Sequence, residues 1–274
     1  MKKHSRRDFL KSSALALAGI TISNMNNEIF NKIDHLTFNI KNVDFKMIAI
    51  EGGSFIMGSN SKDSNRDQKP AHKVTLSDYY IGQTEVTQEL WKAIMGSNPS
   101  EFEGKNMPVD SVTWEACQVF VSRLNKIFHD NGKLTNEFQF HLPSEAQWEF
   151  AAKGGNKSKG YRYAGSNNIN EVAWTRENAD DMTHPVASKL PNELGLYDMS
   201  GNVWEWVQDY YDAYDNLDKV NPSAITKNTG KVIKRGGSWY YAPEHYFTTT
   251  FRYGYYTSIS DSSIGIRLCL SKTL

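Results

Sequence analysis

The last third of the chain concentrates aromatic and cationic side chains that could bind a ligand. These candidates are Arg235, Trp239, Tyr240, Tyr241, His245, Arg252 and Arg267. Arginines beside tryptophan and tyrosine rings suit a peptide, a sugar or an anion, because guanidinium groups pair with anions and stack on rings. Arg252 and Arg267 could equally be buried arginines that hold the fold together, and the sequence leaves both readings open.

Redox and transition-metal chemistry has little support in the residue types. The seven histidines are scattered, with no His-x-His or His-Glu-x-x-His cluster, so no transition-metal site is predicted. Only two cysteines are present, Cys117 and Cys269, far apart in the sequence. We predict that both are free and buried, while a bridge between them stays open because an exported chain can form disulfides.

The first 23 residues are typical of a bacterial export signal of the twin-arginine type. Residues 5–11 read Ser-Arg-Arg-Asp-Phe-Leu-Lys and precede a short apolar run over residues 12–22. That run is shorter than the roughly 20 apolar residues that span a bilayer. The sequence therefore predicts a periplasmic protein without a transmembrane domain in its mature chain. Cleavage after Ala16-Leu17-Ala18 and retention of the segment as an anchor are both open.

Charge excludes two classes of partner. Beyond residue 18 the chain has 26 basic and 30 acidic side chains, so it is mildly acidic. Nucleic-acid binding needs a basic face, and binding to an anionic membrane surface needs a polybasic run. We therefore expect no nucleic-acid partner, and consider an exported protein or a glycan instead.

The elements that must position these side chains have clear local signals in the first half of the chain. Residues 24–45 are rich in Asn, Lys and Asp and are predicted to be a linker, and residues 46–271 to form one domain. Strands are predicted at Met47–Ile50, Phe55–Gly58 and His72–Leu76. Helices are predicted to begin at Thr87, Thr113 and Ser144, each followed by apolar residues at helical spacing. Later turns and short strands make the predicted fold α+β.

Several segments in a fixed order identify a family resemblance. They are Glu51 to Gly58, Pro70 to Leu76, Thr84 to Thr87, Met107 to Trp114, Leu142 to Ala152, Gly195 to Trp206, Arg235 to Trp239 and Gly265 to Arg267. Together they resemble the formylglycine-generating enzyme family, also called the sulfatase-modifying factor domain. The resemblance implies a compact single domain with little regular secondary structure, related to the C-type lectin fold. It places the aromatic and cationic candidates named first in the family's substrate cleft.

The resemblance does not extend to the family's copper chemistry. Family oxidases convert a cysteine of a sulfatase to formylglycine with Cu(I) held by two thiols that follow the Gly-Gly-Ser segment. Residues 239–247 contain no cysteine here, and Tyr241 stands where the first thiol is expected, with Tyr246 near the second. Cys117 and Cys269 do not match either position. We therefore expect no copper site and no oxidation by the family's mechanism.

Calcium is the cofactor that the resemblance implies. Its structural site corresponds to Asp198, the carbonyl groups of Gly201 and Val203, and Glu205, a set of oxygen ligands that Ca²⁺ accepts. A second family site would use Asn178 and the carbonyl group of Ala179, but its other ligands come from a loop that is shorter here.

Three functions follow as hypotheses. The leading one is an exported family member that acts as a periplasmic binding, scaffold or maturation factor. The second is an enzyme, either a divergent sulfatase-modifying oxidoreductase or a maturation enzyme of the pyoverdine-associated type. The third is a lectin-like module that binds peptide or glycan.

Overall fold

A computed structural model describes residues 34–226 and 229–272 of the 274-residue chain. The predicted export signal at residues 1–23 lies outside the described residues. Among those described, no helix is long and apolar enough to cross a lipid bilayer.

Three helices begin where the sequence predicts their caps, and a fourth, single-turn helix was not predicted. The helices are α1 (Gln88–Met95), α2 (Trp114–Asp130), α3 (Glu145–Ala152) and the single-turn α4 (Ile169–Val172). The Thr113 hydroxyl accepts a hydrogen bond from the Ala116 amide at 3.1 Å. Ser144 and Gln147 form a reciprocal capping box at 3.2 and 2.9 Å. These bonds satisfy amides that a helix leaves without an internal partner, so the starts of α2 and α3 are set locally.

The strands are β1 (His35–Ile40), β2 (Val43–Ile50), β3 (Gly53–Met57), β4 (His72–Leu76), β5 (Tyr79–Gly82), β6 (Phe138–His141), β7 (Trp204–Tyr210), β8 (Lys219–Val220), β9 (Lys231–Arg235), β10 (Tyr253–Tyr256), β11 (Ile264–Ile266) and β12 (Cys269–Lys272). An antiparallel five-stranded sheet has the order β1-β2-β5-β12-β6. A four-stranded sheet has the order β10-β9-β7-β11, in which β11 runs parallel to β7. The third sheet, β3-β4-β8, has three strands.

The linker predicted at residues 24–45 is wrong from residue 35 onward. Strand β1 pairs with β2 in register, and Leu36, Phe38 and Ile40 point into the core. Alternating polar residues face outward, which is why the segment looks hydrophilic while one face is buried. The folded domain therefore starts at β1 rather than at residue 46, and β12 carries it to residue 272.

Aromatic packing joins α2 to the five-stranded sheet. Phe38 contacts Phe128 of α2 and Phe140 of β6, with ring centroids 5.2 and 5.1 Å away. At the outer edge of β6, the Asn125 side chain of α2 donates to the Phe140 carbonyl group at 2.8 Å and accepts from its amide at 2.7 Å. Helices and sheets thus bury their apolar faces in common hydrophobic clusters, as the α+β prediction expects.

Candidate functional site

The arginines predicted to line a cleft are buried in ion pairs. Arg252 is 2% exposed and donates to both carboxylate oxygens of Glu145 at 2.7 Å. Arg235 is fully buried, and its guanidinium contacts Glu145 and Glu149 of the same helix, α3. The interpretation of Arg252 as structural is confirmed, and Arg235 must be moved from the cleft to this network.

Arg267 is also buried in an ion pair, with Glu205 of β7 as its partner. Its Nη2 and Nε donate to Glu205 at 2.6 and 3.0 Å, and its remaining bonds reach the carbonyl groups of Gly82 and Tyr197. The residue is 0% exposed. Such a group orders the backbone around it and has no free donor edge for a ligand.

The four other predicted cleft residues do come together. Tyr240 is 55% exposed and lies between Trp239 and Tyr241, with ring centroids 5.5 and 5.7 Å away. His245 is exposed and contacts Tyr246. Trp239 is buried and donates from Nε1 to the Ser262 carbonyl group at 2.9 Å, so it supports this surface from below.

Tyr241 and Tyr246 are neighbours in space. A short 3₁₀ turn over Glu244–Phe247 turns the chain back, which brings their ring centroids to 4.9 Å. Both rings meet the edge or face of Trp204 at 5.6 and 6.2 Å. Burial, with a contribution from Asp261, raises the pKa of Tyr241 to about 12. Its phenol is therefore protonated at neutral pH and acts as a neutral hydrogen-bonding group.

Lys234 is a member of the site that the sequence analysis missed. It lies on β9 with 1% exposure, and its Nζ is 4.0 Å from the ring centroid of Tyr255 and 5.1 Å from that of Trp204. Burial lowers the pKa of Lys234 to about 8, although Asp261 opposes this shift. The sequence feature that could have pointed to Lys234 is the Tyr-x-Tyr pair of β10. It indicates aromatic contacts with Lys234 only when the pairing of Tyr253 with Lys234 is known.

Two buried polar atoms border this cluster without a partner. Within residues 34–226 and 229–272, the Trp204 Nε1 and Ser238 Oγ atoms have no hydrogen-bond partner. Ser238 adjoins Tyr241 through a backbone bond of 3.1 Å. Buried donors left in this way are satisfied by water or by a ligand's acceptor. We call Trp204, Lys234, Tyr240, Tyr241, Tyr246, Tyr253 and Tyr255 the tyrosine site.

The predicted calcium ligands lie in a buried acidic region around Arg267. Glu205 is engaged there, and it also accepts from Trp148 Nε1 at 2.6 Å. Asp198 accepts from the Ala187 amide through Oδ2, but its buried Oδ1 has no partner in the described part of the chain. Burial raises the pKa of Asp198 to about 6, with nearby Glu205 adding to it.

This arrangement fits a cation bound mainly by backbone oxygens. Asp198, Gly201 and Asn202 have φ angles of 59°, 89° and 60°, so the chain makes a tight turn of left-handed residues at the carboxylate that has the open oxygen. In the described residues, no three His, Cys, Asp or Glu side chains converge on one metal position. A Ca²⁺ ion here would use Asp198 with the carbonyl groups of Gly201 and Val203, while Glu205 stays with Arg267.

The position around Asn178 does not fit a cation. The Asn178 side chain accepts from the Thr175 amide at 2.8 Å, and the Ala179 carbonyl group accepts from His184 Nε2 at 2.9 Å. The His184 ring stacks on Trp174 with centroids 3.7 Å apart. A ring N–H thus occupies the place from which a cation would be bound.

Both cysteines are free and fully buried, as predicted. Burial raises the pKa of each thiol well above its ordinary value, so neither is a thiolate at neutral pH. Cys117 lies on α2, in the same core cluster as the buried residues of α1, and Cys269 packs in the cluster around α3.

Known proteins are similar to this chain in sequence and in fold. Residues 38–272 match the sulfatase-modifying factor enzyme 1-like domain. The chain is 37% identical over 235 residues to chaperone protein LppX of Paenibacillus barcinonensis, covering 70% of this chain and 78% of that protein. It is 25% identical over 263 residues to the formylglycine-generating enzyme of Mus musculus, covering 71% of this chain and 66% of that enzyme.

A solved structure agrees with these sequence matches. Treponema denticola variable protein 1 superposes with a TM-score of 0.76 at 30% identity, covering 86% of this chain and 98% of that one. The family match spans both the helical half and the strand-rich half that carries the tyrosine site. The chain therefore belongs to the sulfatase-modifying factor enzyme 1-like family, the family of the formylglycine-generating enzymes.

Proposed function

We propose that this protein is an exported member of the family that binds a partner polypeptide at the tyrosine site, as a binding or maturation factor, without copper-dependent oxidation. The observation that carries the proposal is the Tyr241–Tyr246 pair. Its rings meet edge to face, with centroids 4.9 Å apart, where the family resemblance expects two thiols. Phenols do not replace a two-thiolate Cu(I) site, but their rings suit contact with a polypeptide.

Exposure at the rim supports a binding role. Tyr240 and Tyr253 are 55% and 42% exposed, while Tyr241 and Tyr246 are half-buried behind them. Rigid tyrosines that present both a ring and a hydroxyl are common in protein-binding surfaces, because they lose little conformational entropy on binding. The relative at 37% identity is named a chaperone protein, which is consistent with a polypeptide partner.

Export and calcium complete the proposal. The twin-arginine signal at residues 1–23 would deliver a folded chain to the periplasm. Structural Ca²⁺ at Asp198 would neutralise part of the buried acidic region, where an unpartnered carboxylate oxygen is available. The ion would brace the turn that leads into β7, the strand that carries Trp204.

An aggregation assay tests the binding role. Reduced insulin, whose B chain aggregates, is the probe, and light scattering is measured with the full chain present. We expect the protein to delay aggregation and the double variant Tyr240→Ser, Tyr253→Ser to lose at least threefold of that protection. Tyr256→Ser is the matched control, because Tyr256 is 53% exposed but points to the other face of β10.

Two results would overturn the proposal. Equal loss of protection in Tyr256→Ser and in the double variant, or no protection by the wild-type chain, would remove the tyrosine site as a polypeptide-binding surface. Tight Cu(I) binding together with oxygen consumption on a cysteine-containing peptide would make the protein an oxidase instead. Binding of neutral oligosaccharides that is lost in the double variant would favour the lectin-like alternative.

A further inference from the structure

A groove with a volume of about 950 Å³ lies apart from the tyrosine site. It is bounded by strands β6 and β12 of the five-stranded sheet, by the first turn of α3, by Gln208 of β7 and by the connection that follows β8. The side chains that the argument uses are Gln139, His141, Gln147, Gln208, Ile225 and Ser271. A volume in this range is typical of ligand pockets, which extend to about 1,000 Å³.

Part of the lining is rigid and uncharged. His141 Nδ1 lies 2.7 Å from the Leu142 carbonyl oxygen, which can only accept, so Nδ1 carries the proton. Burial lowers the pKa of His141, which keeps the ring neutral. Nε2 therefore accepts from the Ser271 hydroxyl group at 2.9 Å. Gln147 is held by the Ser144 amide at 2.9 Å, so these side chains are positioned before any ligand arrives.

Two further amides are available for recognition. In the part of the chain that the structure describes, the side chains of Gln139 and Gln208 have no hydrogen-bond partner, although both line the groove. A glutamine amide has a donor and an acceptor, which is the complement of a backbone peptide group. The two charged lining residues have opposite signs: Asp78 accepts from the Gly52 amide at 2.7 Å, and Lys272 Nζ lies 5.9 Å from the Phe138 ring centroid. The lining therefore favours a neutral ligand with alternating donors and acceptors.

The apolar part of the groove favours a peptide over a sugar. Ile225 is 49% exposed at the rim, where an aliphatic ligand side chain could cover it. Sugars stack on open aromatic rings, but Phe138 is only 2% exposed and Lys272 Nζ lies over its ring at 5.9 Å. Hydrogen-bonding amides beside an exposed aliphatic side chain match an extended peptide, whose side chains alternate with its backbone groups.

The geometry points to a second binding site in this groove, which takes a short, extended peptide segment with neutral side chains. The groove shares no residue with the tyrosine site and lies mainly against the five-stranded sheet, although Gln208 belongs to β7, the strand that also carries Trp204. It therefore does not depend on the function proposed for that site. Together the two sites would let the chain hold one polypeptide at separate points, or two different ones.

Selection from a random library tests the assignment. Displayed ten-residue peptides are selected on the full chain and counter-selected on the double variant Gln208→Glu, Ile225→Asp. We expect neutral peptides to be enriched, and their dissociation constants, measured by fluorescence anisotropy, to rise at least tenfold in the double variant. Leu190→Asp is the control, because Leu190 is 59% exposed and does not line the groove.

The outcomes separate this site from the tyrosine site. Peptides that bind the double variant of the groove as tightly as the wild type, or a selection with no enriched sequence, would overturn the assignment. Neutral oligosaccharides that bind the wild type but not the double variant would also overturn it, by making the ligand a glycan. Tyr240→Ser, Tyr253→Ser should leave groove binding unchanged, whether or not it loses protection of insulin. Unchanged urea unfolding curves show that each variant is folded.

Discussion

Replacing Arg252 with alanine should destabilise the fold rather than weaken binding at the tyrosine site. Arg252 donates twice to Glu145 at 2.7 Å and also to the carbonyl groups of Asp67 and Asp212 at 3.2 and 2.8 Å. Alanine leaves Glu145 with Arg235 alone and removes the donor from two carbonyl groups. Breaking a buried pair by removing one partner typically costs about 4 kcal/mol.

Urea unfolding followed by tryptophan fluorescence measures this loss. With a slope of about 3 kcal/mol per molar urea, the midpoint should fall by about 1.3 M at an unchanged slope. Arg162→Ala is the control, since Arg162 pairs with Glu244 at 3.6 Å and both side chains are more than half exposed. An exposed pair contributes about 0.5 kcal/mol, so its midpoint should move by less than 0.3 M. Equal shifts for the two variants would refute the reasoning, and weakened insulin protection at unchanged stability would return Arg252 to the binding surface.

Three further variants test other parts of the structure. Lys234→Met should raise the free energy of unfolding at pH 7 by about 2 kcal/mol. Between pH 8 and pH 10, Lys234 loses its proton in the folded wild type but keeps it in the unfolded chain, because its folded-state pKa is near 8. The stability of the wild type therefore rises with pH in this range, and urea curves should show the advantage of Lys234→Met shrinking. Ca²⁺ at a hundredfold excess over its dissociation constant should stabilise the wild type by about 3 kcal/mol, and Asp198→Asn should abolish this stabilisation. A wild-type thermal midpoint that is the same with Ca²⁺ and with EDTA would refute the calcium site. Gly237→Ala should cost about 3 kcal/mol, because a Cβ would lie 2.6 Å from the Phe247 ring at a φ of +80°, whereas Gly96→Ala, which meets open space at a similar φ, should cost about 1 kcal/mol; similar losses would rule out the ring contact as the cause.

Local features could be predicted from the sequence because their causes are local. Thr113 and Ser144 begin helices since their hydroxyl groups accept from amides three residues later. The strand predicted at His72–Leu76 has the bounds of β4, because alternation marks one buried face. In contrast, β1 was missed although Leu36, Phe38 and Ile40 alternate in the same way, because residues 24–45 were interpreted as one segment from their content of Asn, Lys and Asp.

Long-range features could not be predicted because a sequence does not show which charges meet. Arg252 finds its partner Glu145 at a separation of 107 residues, and Arg267 finds Glu205 at 62. Without those partners, an arginine beside aromatic residues suggests a binding surface. Lys234 was missed for the same reason, since its ring contacts depend on the pairing of β9 with β10. The family resemblance places Tyr241 at the first thiol position and Tyr246 near the second, and the short 3₁₀ turn explains how their rings come into contact.

Asn125 blocks part of the exposed edge of the five-stranded sheet from pairing with another strand. Its amide occupies both hydrogen-bonding groups of Phe140 on the edge strand β6, as a neighbouring strand would. His129 Nε2 covers the Phe138 carbonyl group on the same edge at 3.0 Å. Exposed strand edges invite the edges of other molecules and lead to aggregates. Two side chains of one helix thus end the sheet at β6, so a protein that would handle other polypeptides does not offer this edge to copies of itself.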